Sequence, residues 1–201
     1  MSKQALNYQK VINAFLCFKK SLDNVAPRIP RKMAGDLGEF YVLLAMEKMG
    51  YDFIHKSGQT GYDILLNDPV KRVEVRTSLL KNEGIYPKGI NFYGWRVKDR
   101  ESRKEDKFDI LVCVALDDTF KKPKFYIFTK KEAFSAGDVH IGRFPRIQKK
   151  ITLFENLVAY KKAVKTKPEL VTKFERYFNL NSKVFLNKWN KLNKICDGPI
   201  F

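Results

Sequence analysis

Cysteine is sparse in this 201-residue chain: Cys17, Cys113 and Cys196 lie far apart. An odd number at such distances supplies neither a disulfide framework nor the paired spacing of a zinc site. Histidine is scarcer, with His55 and His140 alone, which argues against an active site assembled from several imidazoles. No run of about 18 apolar residues exists, so no membrane-spanning helix is expected. The opening Met1-Ser2-Lys3-Gln4 does not lead into the apolar stretch of a signal peptide, and the expected location is the cytoplasm. No repeat or low-complexity segment is evident. Negative charge is also short: 22 Asp and Glu face 39 Lys and Arg, a net charge of +17. Such a surplus asks for a polyanionic partner, nucleic acid before a membrane surface. Against these absences stands a hydrophobic content of 44%, enough for one folded domain or a core with a small appendage.

The most informative stretch runs from Gly61-Tyr62-Asp63-Ile64-Leu65-Leu66 through a turn at Asn67-Asp68-Pro69 to Lys71-Arg72-Val73-Glu74-Val75-Arg76-Thr77-Ser78. Two aliphatic runs around a Pro and Asp turn predict a β-hairpin. Side chains alternate along a strand, so Arg72, Glu74, Arg76 and Ser78 share one face and Val73, Val75 and Thr77 the other. The apolar face is expected to be core and the charged face to carry chemistry. Asp63 falls across from Glu74, and two carboxylates brought close would repel. A hard divalent cation such as Mg²⁺, which takes carboxylate oxygens, waters and substrate phosphate, resolves that conflict.

Asp63, ten intervening residues and then Glu74-Val75-Arg76 resemble the Asp…Glu-x-Lys site of the PD-(D/E)XK nuclease superfamily, the restriction endonuclease-like fold. Gly35-Asp36-Leu37-Gly38-Glu39, on a predicted helix, resembles that family's first core helix, whose Glu faces the metal site. Phe108 to Leu116 and Phe125-Tyr126-Ile127-Phe128 resemble the strands that complete the core. The likeness covers roughly residues 30 to 135. It departs at one position, where the family's usual Lys is here Arg76, whose guanidinium can stabilise a phosphate by paired hydrogen bonds but stays protonated and cannot act as a base. The resemblance implies an α/β fold, a central mixed sheet flanked by helices. It also implies one or two Mg²⁺ held by Asp63, Glu74 and the Val75 carbonyl, with Arg76 on the phosphate and Glu39 ordering a water. A helical Glu is otherwise a solvated surface residue, and both readings stand at this point.

In chain order, residues 4 to 22 form an amphipathic packing helix. Ala26-Pro27-Arg28-Ile29-Pro30-Arg31-Lys32 reads as a basic loop, with Arg28, Arg31 and Lys32 either touching phosphates or simply solvated. Residues 34 to 49 form a second helix with Gly50 as its C-terminal cap. Met46 on that helix either fills a core gap or reaches DNA as an apolar wedge. Residues 51 to 56 form a strand whose His55 is structural or adjacent to substrate. Residues 79 to 106 mix aromatics and cations, with a strand around Ile90 to Val97. Ser78, Lys81, Lys88, Arg96, Lys98, Arg100, Arg103 and Lys104 are the candidates there for contacts to DNA. Phe108 to Leu116 predicts a central strand covered on both faces. Phe125 to Phe128 predicts the next strand, and Thr129 the N-cap of a short helix. From His140 onward, 14 Lys and Arg against 4 Asp and Glu make a basic tail. Residues 151 to 164, 168 to 180 and 182 to 194 are read there as helices.

The organisation expected is therefore an N-terminal helix and basic linker over 1–29, a nuclease core over 30–139 with a recognition insertion at 79–106, and a basic helical extension over 140–201. The function expected from the resemblance is Mg²⁺-dependent cleavage of double-stranded DNA, as a type II restriction endonuclease acting as a homodimer on a short palindrome. The partners expected are DNA and a second copy of the chain, with no membrane and no nucleotide cofactor. A structure-specific nuclease of the Holliday junction type and a DNA-binding protein without catalysis are the alternatives.

Overall fold

The structure, a computed structural model, describes residues 2–22, 31–56, 61–81, 90–98, 108–141, 147–155, 157–166 and 182–193. Two helices open the chain, α1 (Lys3–Leu22) and α2 (Arg31–Lys48). Then come β1 (Phe53–His55), β2 (Ile64–Asn67), β3 (Val70–Leu79), β4 (Phe92–Lys98), β5 (Ile110–Leu116) and β6 (Lys124–Thr129). The chain continues with α3 (Lys130–Ala136), β7 (Asp138–Ile141), β8 (Ile147–Phe154), α4 (Leu157–Thr166), a one-turn helix α5 (Ser182–Phe185) and a 3₁₀ turn at Trp189–Leu192. The fold is α/β, and its central sheet has the order β1-β2-β3-β5-β6. That sheet is mixed, because β3 and β5 run parallel while the other neighbours are antiparallel.

β5 explains the layering. All seven of its residues are buried, as a strand covered on both faces requires. Ile110, Val112, Val114 and Leu116 enter a cluster with Leu37, Leu44 and Ile12 of the two helices. Leu111, Cys113 and Ala115 enter another with Trp95, Ile151 and Leu153. Helices thus cover one face of the central sheet, and a three-stranded sheet, β4-β8-β7, covers the other. β3 inherits the same two-sided burial. Val73 and Val75 pack towards the helices as expected, but the charged face is covered as well. Glu74 is 6% exposed and Ser78 is 4% exposed.

Several local expectations hold in detail. Gly50 ends α2 with φ +76°, the left-handed value that favours glycine at a helix end. Thr129 caps α3, its hydroxyl accepting from the Glu132 N–H while the Glu132 carboxylate accepts from the Thr129 N–H. The strand expected near Ile90 to Val97 is β4. Helix α2 begins earlier than expected, at Arg31, so Arg31 and Lys32 belong to the helix and not to the basic loop. The tail differs more: residues 151 to 164 are not one helix, and in place of a helix over 182 to 194 the described residues form only α5 and the 3₁₀ turn. β8 occupies 147–154, and α4 starts at Leu157. Ile151 and Leu153 alternate with Lys150 and Thr152, a period of two that sends the apolar pair inward. The helix expected at 168 to 180 lies outside the described residues. No helix among the described residues is long and apolar enough to cross a membrane.

One ion pair fixes the parallel junction of β3 and β5. Arg72 donates from Nε to Asp109 Oδ2 at 3.1 Å and from a terminal guanidinium nitrogen to Oδ1 at 3.0 Å. Its backbone N–H donates to Oδ2 at 2.9 Å. Burial pushes the Asp109 carboxyl up, but the Arg72 bonds outweigh it and hold the group below the usual carboxylate range. A depressed folded value means stability that is present above the unfolded value of about 3.9 and lost as pH falls through the folded one. The stability gap between wild type and Asp109→Asn is therefore expected to be full at neutral pH and to close below about pH 4. Urea titrations across that range measure it, and a gap of constant size would remove Asp109 from the account.

Candidate active site

The hairpin forms as its turn chemistry demands, with Ile64 opposite Val73 and Asn67 opposite Val70. Asp63 lies just before the first paired residue of β2, and with Ile64 it faces Val73. The Asp63 N–H donates to the Val73 carbonyl at 2.9 Å, and its Oδ2 accepts from the Val75 N–H at 2.7 Å. A side chain here replaces the strand partner that β2 is too short to provide. The Val75 carbonyl shares its N–H's edge of the strand, so it faces the side on which Asp63 lies.

Charged groups reach this edge from both faces of the sheet. On the face turned to the second sheet, Glu74 and Arg76 form an ion pair, with the Arg76 side chain 41% exposed. On the helix face, Glu39 of α2 is hydrogen-bonded to His55 Nε2, and the His55 ring meets Phe40 edge-on at 6.5 Å. Asp63 feels both groups. Desolvation raises its pKa, while the Val75 N–H, Arg76 and His55 pull it down without cancelling the rise. Glu39 is likewise raised, by desolvation first and then by the charges of Asp63 and Asp36, against the lowering by its His55 bond. Glu39, His55, Asp63 and Arg76 thus act on one another electrostatically, Glu74 joins them through its ion pair with Arg76, and burial raises two of the acids. Among the described residues no three His, Cys, Asp or Glu side chains converge as a ready-made metal cage. Asp63, Glu74 and the Val75 carbonyl are hard oxygens, the donor type that a cation such as Mg²⁺ takes together with water and phosphate.

α2 can deliver Glu39 because Gly38 precedes it. A Cβ at Gly38 would overlap the Thr77 hydroxyl on β3, and that hydroxyl donates to the Gly35 carbonyl at 3.4 Å. Thr77 is β-branched and has little freedom to turn away. Gly38→Ala is expected to cost about 1–3 kcal/mol through overpacking, and Gly38→Ala with Thr77→Ala to recover much of it. Chemical denaturation of the two variants beside wild type tests this, and a Gly38→Ala protein as stable as wild type would refute the close contact.

Of the other residues singled out from the sequence, Lys32, Lys81 and Arg96 are exposed. Arg31 is the first residue of α2 and Lys98 the last of β4. Two expectations are corrected. Met46 is 0% exposed in the core between α2 and the sheet, so it fills a packing gap and does not present a wedge to DNA. Ser78 is buried, and its hydroxyl accepts from the Gly94 N–H at 3.0 Å and donates to the Leu79 carbonyl. It joins β3 to β4 instead of facing a ligand. Arg28, Lys88, Arg100, Arg103 and Lys104 lie outside the described residues. Sequence reasoning missed the Glu39–His55 pair, for which the available signal was a histidine at the end of a strand preceding the hairpin.

No protein-family model matches the sequence. No curated protein matches it either. Among solved structures, that of a bacterial homing endonuclease matches 81% of this chain and 92% of its own, with 17% identity and a TM-score of 0.47.

Proposed function

We propose that the protein is a Mg²⁺-dependent endodeoxyribonuclease of the PD-(D/E)XK type. The observation that carries this reading is the placement of Asp63. It sits at the mouth of the hairpin, its carboxylate hydrogen-bonded to the Val75 N–H between Glu74 and Arg76, with Glu39 arriving from the helix behind. Asp63 and Glu74, with the Val75 carbonyl, would hold the cation. When bound, Mg²⁺ supplies Lewis-acid polarisation of the phosphate and lowers the pKa of an attacking water. The chain's own residues do the rest. Arg76 is reachable from solvent and permanently charged, so it can offset the charge that grows on a phosphate oxygen. It cannot accept a proton. The Glu39–His55 pair can hold a water near Asp63 and take part in moving its proton. The net charge of +17 favours the phosphate backbone without selecting sequence.

Within that class the reading preferred is a type II restriction endonuclease working as a homodimer on a short palindrome, since a two-fold protein pairs with two-fold DNA. A digest of plasmid DNA with Mg²⁺ tests it. Discrete bands support the restriction reading, and cutting of branched DNA alone identifies a junction-specific nuclease. A gel shift with intact DNA supports a second reading, DNA binding without catalysis, which the engagement of Glu74 by Arg76 favours.

A further inference from the structure

The outer face of the three-stranded sheet gathers positive charge at one place. β4 and β8 pair with Gly94 opposite Thr152 and Arg96 opposite Lys150. Tyr93, Trp95, Ile151 and Leu153 point into the core, so by alternation Phe92, Gly94, Arg96, Lys150 and Thr152 stand on the other side. Lys81, arriving from the end of β3, bridges to Phe92 through two backbone hydrogen bonds of 2.9 Å. The Lys81 and Lys150 ammonium groups lie 5.9 and 5.7 Å from the centre of the Phe92 ring. Both also lie over Gly94: a Cβ there would meet Lys150 Cε at 3.0 Å, Lys81 Nζ at 3.7 Å and Lys150 Nζ at 3.8 Å. A glycine inside a strand weakens it and often marks a place where another group must come close. At Gly94 that group is a pair of lysine tips.

Bringing cations together costs free energy, and the cost is visible at Lys150, whose pKa is lowered by burial first and then by Arg96. An anion seated among them reverses the sign of the interaction. A second observation lies on the same face. The hydroxyl of Thr152, directly opposite Gly94 and 1% exposed, has no hydrogen-bond partner. A buried hydroxyl without a partner is unusual and calls for an explanation.

We propose that Lys81, Arg96 and Lys150, drawn together over Gly94 and Phe92, form a seat for one backbone phosphate of duplex DNA. Two of the three cations are exposed and the third is half-buried, which suits a strand laid across the sheet more than an enclosed small anion. The seat deepens the proposed function, since it takes the same duplex, but it is a binding site and its test requires no cleavage. Because Ser78 and Lys81 tie the end of β3 to β4, a phosphate held here is fixed relative to the strand that carries Glu74 and Arg76.

The test is fluorescence anisotropy with a short labelled duplex in EDTA, over a series of salt concentrations. The slope of log Kd against log salt should fall in Lys150→Gln and in Lys81→Gln, and by about 1 in the double variant, since one phosphate contact releases about one counterion. Lys150→Arg should keep the wild-type slope. Lys122→Gln, on the exposed turn between β5 and β6, should also keep it. Unchanged slopes in both glutamine variants, or an equal fall in Lys122→Gln, would overturn the seat. So would equal losses on single-stranded RNA, which would remove the duplex from the assignment. Lys81 is exposed, so its variant answers even if Lys150→Gln folds poorly. Slopes that fall as expected while Asp63→Asn still cuts DNA would leave the seat standing and sink the catalytic reading instead.

Discussion

Asp63→Asn should bind DNA like the wild type and cut it at least a thousandfold more slowly. Losing a carboxylate that holds the cation removes several kcal/mol of transition-state stabilisation, and each 1.36 kcal/mol is about tenfold in rate. Asn is the informative replacement because its side-chain oxygen can still accept from the Val75 N–H, the bond that Asp63 Oδ2 makes at 2.7 Å. The fold should therefore survive, and the sign of the stability change can be worked out. Desolvation raises the Asp63 pKa in the folded protein. A carboxyl raised in the folded state binds protons more tightly there than in the unfolded chain, so folding loses stability as pH rises through the two values. At neutral pH without metal the ionised Asp63 is thus a cost, and a neutral amide removes it. Asp63→Asn should melt no lower than wild type in EDTA, and Mg²⁺ should raise the wild-type melting temperature but not the variant's. Undiminished cleavage would refute the assignment. A melting temperature lowered by many degrees would show that the carboxylate serves the hairpin more than the chemistry.

That outcome depends on a feature only half legible in the sequence. The spacing put Glu74 and Arg76 on one face of β3 and Asp63 at the mouth of the hairpin, because a two-residue period leaves no freedom once the turn is placed. Spacing says nothing about what covers a face, however. Glu74 and Ser78 read as the open side of the hairpin, and they are buried because β4 and β8, contributed by segments some 20 and 75 residues further on, close over them. β8 was itself hidden: Ile147, Ile151 and Leu153 sit among lysines at spacings that a helix or a strand can both use over so short a span. Met46 failed for a related reason. Its place on the helix was right, but whether Glu39's neighbours face solvent is decided by the sheet beneath, where Gly38 lets α2 settle on Thr77. The Glu39–His55 pair and the Lys150 cluster are products of tertiary packing, and no local pattern announces either.

Arg76 provides the sharpest separation between a working site and a merely charged one. In the free protein it pairs with Glu74, and its charge also lowers the Asp63 pKa, so it competes with any cation for the same two carboxylates. Replacing it by Ala should therefore move two measurements in opposite directions. Divalent-metal affinity should tighten several-fold, since a positive charge has left the site. Single-turnover cleavage with saturating metal should fall about a hundredfold or more, the usual loss when a donor to a developing anionic oxygen is deleted. A variant that had simply lost its fold would lose both, and the opposed signs exclude that explanation. Arg76→Lys should lie between, keeping the charge but replacing a two-pronged contact by a single point. Calorimetric titration with Mg²⁺ and quenched-flow cleavage supply the two numbers. Cleavage at the wild-type rate in Arg76→Ala would mean that the guanidinium neutralises Glu74 and does nothing for the phosphate. Weaker metal binding in that variant would mean instead that Glu74 needs Arg76 to hold its carboxylate in place, and the ligand role of Glu74 would fall with it.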